Sequence, residues 1–245
     1  MKTFRLFIII GIVLFYTRLD AQQIIELKNP SFEDMPHKGG DNFSQKIIDL
    51  KKSSSEDIPD KVGVEFMPIK YWYDCGILDF PGETPPDIHP VPSGAWEVTM
   101  DPKDGKTFLG LVVRYNNTYE AISQKLDKKL KKNKCYTVSG YLALSDTYRS
   151  PTRQSFLKSQ LENFNNPAQL RIWAGSKVWP KKELLVTSGS VSNLEWQLYE
   201  FTFSPSGSYS FFTLEAYYIA DDVERYNGNL LVDGLSPIVE VDCKD

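Results

Sequence analysis

The chain has 245 residues, with 28 basic and 32 acidic side chains, and its net charge of −4 becomes about −6 once a basic leader is set aside. That balance argues against nucleic acid, which requires a clustered positive surface; the locally basic KLDKKLKKNKC reads as a solvated hairpin end. Three cysteines (Cys75, Cys135, Cys243) and two histidines (His37, His89) follow no zinc spacing, so a nitrogen–sulfur metal centre is not expected.

In chain order, the first feature is an export signal. Lys2 and Arg5 precede the apolar run LFIIIGIVLFY, and the small residue Ala21 closes the segment, so residues 1–21 are expected to be a signal peptide. The run is shorter than the roughly 20 residues of a membrane span, and residues 22–245 hold no second one, so no transmembrane segment is expected there. Export to the periplasm, the outer-membrane surface or the extracellular space would permit one disulfide. Which two of the three cysteines pair is left open.

After NPSFED (residues 29–34), the stretch from Asp34 to Pro68 reads as an exposed insertion. YWYDCGILDFPGETPPDIHPVPSGAWEV lacks a strand pattern and reads as a Pro-rich loop, either a rigid recognition loop pinned by a disulfide at Cys75 or a cover for one end of the fold. Strand-sized apolar and β-branched runs follow: TFLGLVVRY, CYTVSGYLALS, AQLRIWAG, ELLVTSGSV, WQLYEFTFS and FFTLEAYYI. Leu198, Glu200 and Thr202 alternate with Tyr199, Phe201 and Phe203, the period of a sheet with one face in a core. A second insertion, 145–167, carries RQSFLKSQLENF, where the spacing of Phe156, Leu157, Leu161 and Phe164 predicts a short surface helix. The expected fold is all-β: a single antiparallel β-sandwich, a jelly roll, over residues 22–245, with long loop insertions.

The two ends carry a further signal. NPSFED at the start and LLVDGLSPIV near the end form a bracket, and with DPKDGKTFLGLVVRYNNTYEAISQKL the chain resembles galactose-binding-like jelly rolls, the fold of many carbohydrate-binding modules. GLVVR, CYTVSGYLALS, LRIWAG and LEAYY resemble secreted envelope proteins of Bacteroidota that carry this jelly roll. The resemblance implies a structural calcium ion held by Glu33 and Asp233, with Asp104 as a further ligand. The alternative is that these are ordinary turn acids. Phe32 reads as a core ring.

Sugar recognition uses aromatic rings and planar polar groups, and the aromatic content is 13%. The ligand-binding candidates are Trp72, Trp96, Arg114, Tyr115, Arg171, Trp173 and Tyr217; Arg171 and Trp173 share one face of their strand, and Glu215 and Tyr217 share a face of theirs. The sequence lacks a G-x-S-x-G elbow and an H-E-x-x-H helix, and its acids nominate no glycosidase pair. The expectation is a secreted, non-enzymatic binding domain whose partner is a glycan. The alternative is an accessory subunit that docks an envelope protein partner in an outer-membrane, motility or secretion assembly.

Overall fold

The computed structural model describes residues 22–34, 69–79, 83–90, 96–178 and 180–243. Residues 1–21, expected to be a signal peptide, and nearly all of the first insertion, His37 included, lie outside the described residues. In chain order the strands are β1 (Ile24–Ile25), β2 (Tyr73–Asp74), β3 (Asp87–His89), β4 (Phe108–Val113), β5 (Ala121–Leu130), β6 (Cys135–Ala143) and β7 (Arg149–Ser150). They continue with β8 (Glu162–Asn163), β9 (Asn166–Pro167), β10 (Gln169–Gly175), β11 (Glu183–Thr187), β12 (Gln197–Phe203), β13 (Tyr209–Tyr217), β14 (Gly228–Asp233) and β15 (Ile238–Val241).

Two sheets face each other, as the alternating runs predict. The larger has the path β1-β15-β6-β14-β4-β3, with β12 also on β6 and β9 on β14; the smaller is the five-stranded β11-β10-β13-β5-β2. Apart from the two-residue parallel contact of β9 with β14, these pairings are antiparallel. Leu109, Leu111, Val138, Leu142, Leu230 and Val232 of the larger sheet meet Ile122, Leu126, Leu170, Ile172, Phe212 and Leu214 of the smaller in one core. Within β12, Phe201 and Phe203 enter that core while Glu200 and Thr202 face solvent. The RQSFLKSQLENF helix is shorter than predicted: α1 spans Arg153–Leu157, is capped by Thr152, and leaves Phe156, Leu157 and Leu161 exposed. Among the described residues no helix is long and apolar enough to cross a membrane.

The disulfide joins Cys135, at the start of β6, to Cys243 beyond β15. Cys75 is buried and unpaired, so the Pro-rich segment is not pinned there. That segment also contains two short strands, one in each sheet, which its interrupted pattern conceals.

Along β4 and β14 the larger sheet is buried on both faces: every residue of these two strands is buried. Its outer face carries a second core of Phe108, Val112, Ala143, Tyr148, Phe164 and Leu231, against which Trp96 and Trp196 pack. The segments 83–90, 96–100 and 145–164 contribute to this cover, and polar side chains beneath it fix them in place. Asn229 Nδ2 donates to the carbonyls of Ser145 (2.7 Å) and Phe164 (2.6 Å), and its Oδ1 accepts from Ser145 N. Tyr148 Oη donates to Asp87 Oδ2 (3.0 Å) and lies 3.2 Å from His89 Nε2. The fully buried Arg114 meets Glu120 at 2.5 Å and Glu83 at 3.9 Å.

Removing one partner of a buried pair strands the other charge. Arg114→Met is therefore expected to cost about 3–5 kcal/mol, read as a lower urea midpoint. Burial also lowers His89 to about 4, so the fold favours its neutral ring. That contribution is complete above pH 6.5 and is lost as pH falls toward 4. Burial raises Asp87 and Glu120, to about 7 and about 8, and their contribution changes in the opposite sense. The stability gap between wild type and His89→Gln should accordingly narrow from pH 7 to pH 5, by about 2 kcal/mol, in paired denaturation curves.

Candidate functional site

Three regions receive the residues singled out from sequence. The first is the cover just described. Trp72 and Arg114 do not reach a surface: both are fully buried, Trp72 packs against Phe32 (5.9 Å between rings), and its Nε1 donates to the carbonyl of Asn29. Neither can meet an external ligand. Trp72 lies in the main core between the sheets, whereas Arg114 is sealed against Glu83 and Glu120 beside Phe164 of the outer buried layer. Trp96 is half-buried in that layer and hydrogen-bonds Asp87. Tyr115 stays exposed on the β4–β5 turn, where its Oη donates to Gln154 Oε1 (2.8 Å).

The second region is the bracket. Phe32 is fully buried although its φ is +59°, a conformation uncommon for a bulky residue. The turn it makes leaves Glu33 beside the 103–107 loop. Glu33 Oε1 accepts from Lys106 N (2.6 Å), Thr107 N (2.8 Å) and Thr107 Oγ1 (3.0 Å). From the opposite side, Asp233 Oδ2 accepts from Lys103 N and Asp104 N, both at 2.8 Å, and its Oδ1 accepts from Gly234 N. Asp104 Oδ2 accepts from Ser31 Oγ at 2.5 Å. The bracket therefore closes on a third element, the loop that leads into β4. Burial pushes Asp233 up to about 6 against the opposing pull of those N–H donors.

These residues do not fit a calcium ion as arranged. Calcium needs several oxygen donors around one point. Here the carboxylates of Glu33 and Asp233 face backbone N–H groups, whose positive ends repel a cation. Among the described residues no group of three or more His, Cys, Asp or Glu side chains is placed to hold a metal.

The third region is the outer face of the five-stranded sheet. Register sets Arg171 of β10 opposite Glu215 of β13, and Trp173 opposite Thr213. Alternation then sends Leu170, Ile172, Leu214 and Ala216 into the core and leaves Arg171, Trp173, Glu215 and Tyr217 outside. Trp173 Nε1 donates to Glu215 Oε1 (3.0 Å). Lys181, carried back over the sheet by the β10–β11 connection, pairs with Glu215 Oε2 and lies 4.7 Å from the Tyr119 ring and 5.7 Å from the Trp173 ring. Arg171 stacks on Tyr217 (3.5 Å), Tyr119 meets Tyr217 edge-on, and Arg225 approaches the Tyr217 ring at 5.6 Å. Burial pulls Lys181 down to about 8, with Cys75 opposing and Arg171 reinforcing the shift; burial pushes the Cys75 thiol upward. At the far end of the same face Tyr73 and Phe211 pack 6.3 Å apart. The strip from Phe211 to Tyr217 runs about 20 Å, at about 3.3 Å per residue.

Arg171, Trp173 and Tyr217 are thus brought together as their strand patterns predict. Lys181, Tyr119, Arg225 and Asp221 complete the face without having been selected from sequence. Their signal is the pairing register, which places Tyr119 and Tyr217 side by side across nearly a hundred intervening residues.

No family model matches the chain, and no curated protein matches it. Similar solved structures exist. The CBM22-1 and GH10 modules of endo-1,4-β-D-xylanase 10B from Clostridium thermocellum align at 11% identity and a TM-score of 0.39, over 71% of this chain and 27% of that one. The CBM22-1 xylan-binding domain of Xyn10C from Paenibacillus barcinonensis aligns at 16% and 0.35, over 67% and 86%. The K2 cleaved adhesin domain of Lys-gingipain aligns at 9% and 0.41, over 70% and 90%. The architecture assigned here rests on the sheet topology itself, an antiparallel two-sheet jelly roll, and likenesses at this level carry no argument about ligand.

If the bracket is closed by N–H donors alone, EDTA should leave the melting temperature unchanged. Asp233→Ala, which strands two N–H groups of the 103–107 loop, should lower stability by about 1–3 kcal/mol. A calorimetric scan of both proteins with and without chelator reads the two effects separately.

Proposed function

We propose that the chain is a secreted, non-catalytic glycan-binding module and that it binds sugar on the outer face of its five-stranded sheet. The carrying observation is the grouping of Trp173, Tyr119 and Tyr217 with Arg171, Lys181 and Glu215 on that one face. A pyranose presents an apolar C–H face that suits an aromatic ring and a rim of hydroxyls that suits planar or charged groups able to give and accept hydrogen bonds. The strip offers both kinds of partner side by side. The raised acids Asp87 and Glu120 are bound up with Tyr148 and Arg114, and Asp233 is held by backbone N–H groups, which supports a binding role over a hydrolytic one. Export, as the leader reads, would place the module where free polysaccharide and envelope glycans occur.

A protein-docking role is the second reading. It rests on Phe156, Leu157 and Leu161, which are 50%, 71% and 46% exposed at one short segment around α1.

A glycan array followed by titration calorimetry tests the first reading. Trp173→Ala is expected to weaken binding about tenfold or more, while Leu157→Ser leaves it unchanged. Binding that survives Trp173→Ala but is lost in Leu157→Ser would move the site to the α1 segment.

A further inference from the structure

The Tyr217 end of the strip carries an arrangement that names a class of sugar. Arg171 Nη2 holds Asp221 Oδ1 at 2.6 Å, while Arg171 Nε, on the same edge of the guanidinium, is buried without a hydrogen-bond partner. Arg225 likewise donates from Nε to Asn117 Oδ1 (3.0 Å) and keeps a buried, unpartnered Nη1. Both guanidiniums pack on the Tyr217 ring, and both lower the pKa of Asp221, Arg171 first by hydrogen bond and then by charge.

The two ends of this ion pair differ in freedom. The Arg171 side chain is 11% exposed and fixed on its ring, whereas Asp221 is 76% exposed on a bend beyond β13. Asp221 thus contributes the solvated half of the pair, and water competes for its carboxylate. A guanidinium edge matches a carboxylate best when two parallel N–H groups meet two oxygens. Asp221 uses one of the two donors, so the fork is half filled by a carboxylate that is free to leave.

Resting on the glycan reading above, we propose that this face selects acidic glycans, the carboxylate of a uronic acid residue displacing Asp221 from Arg171 and coming under the charge of Arg225. The sugar ring would lie along the strip toward Trp173 and Tyr119. Lys181 adds a third cation, but Glu215 holds it, so the exchangeable position is at Arg171.

The probes are polygalacturonate, alginate and hyaluronate, each compared with its methyl-esterified form, together with neutral xylan, mannan and β-glucan. The acid forms should bind about tenfold or more tighter than their esters, and added salt should narrow the difference. Asp221→Ala, a change at an exposed bend, should strengthen binding of the acid forms. Arg171→Gln should abolish the acid-over-ester preference while an unchanged melting curve certifies the fold. Equal binding of acids and esters, or an Asp221→Ala variant identical to wild type, would overturn the uronate assignment and leave the glycan reading standing. If no polysaccharide of either group binds, the glycan reading falls and this inference with it.

Discussion

Burial of both faces of the larger sheet along β4 and β14 is the constraint from which the other features follow. A sandwich needs only its inner faces dry, yet β4 and β14 are buried along their whole length. The outer apolar positions Phe108, Val112 and Leu231 are covered by the chain's own connections. Such connections bring polar backbone and side chains into a dry layer, where each must find a partner. Asn229 serves three hydrogen bonds there, Tyr148 bridges Asp87 and His89, and Arg114 neutralises Glu120. The covering segments are thereby fixed to the sheet by polar contacts as much as by apolar ones.

The five-stranded sheet meets the same physics differently. Its outer face carries half-buried aromatics bridged by ions, with Lys181 laid across them from the β10–β11 connection. The ends of the chain contribute to the opposite sheet. β1 pairs with β15, Glu33 and Asp233 grip the 103–107 loop from two sides, and the disulfide joins the start of β6 to the end of the chain's last strand. The side on which β1 meets β15 and the side that presents the ionic aromatic strip thus belong to different sheets.

Much of this was legible in sequence where the signal is local. Alternation in β12 assigned its two faces correctly, and the residues of NPSFED and of Asp233 do converge. The lysine-rich stretch is exposed as read, but it carries the chain from β5 in the smaller sheet to β6 in the larger and closes no hairpin. Sequence shows the acids of the bracket but not the N–H groups opposite them, which only the fold brings there. Trp72 and Arg114 were misplaced for a related reason: local sequence does not show that Trp72 enters the core beside Phe32, nor that Arg114 is enclosed by Glu83 and Glu120. Lys181 and Glu215, 34 residues apart, meet only because β10 and β13 are neighbours and the β10–β11 connection doubles back, which no local period encodes.

The two ion pairs of the strip then have different consequences. Glu215 is 1% exposed and accepts from both Trp173 and Lys181. Breaking such a pair leaves a desolvated charge, at about 3–5 kcal/mol, so this pair fixes the rings beside it in one arrangement. Groups already fixed lose little further freedom when a ligand arrives. The Asp221–Arg171 pair has one partner in water, and its rupture releases Asp221 to full solvation while leaving the half-buried Arg171 in need of another anion. The buried pair therefore preorganises the strip, and the exposed one is the place where an incoming carboxylate meets least resistance.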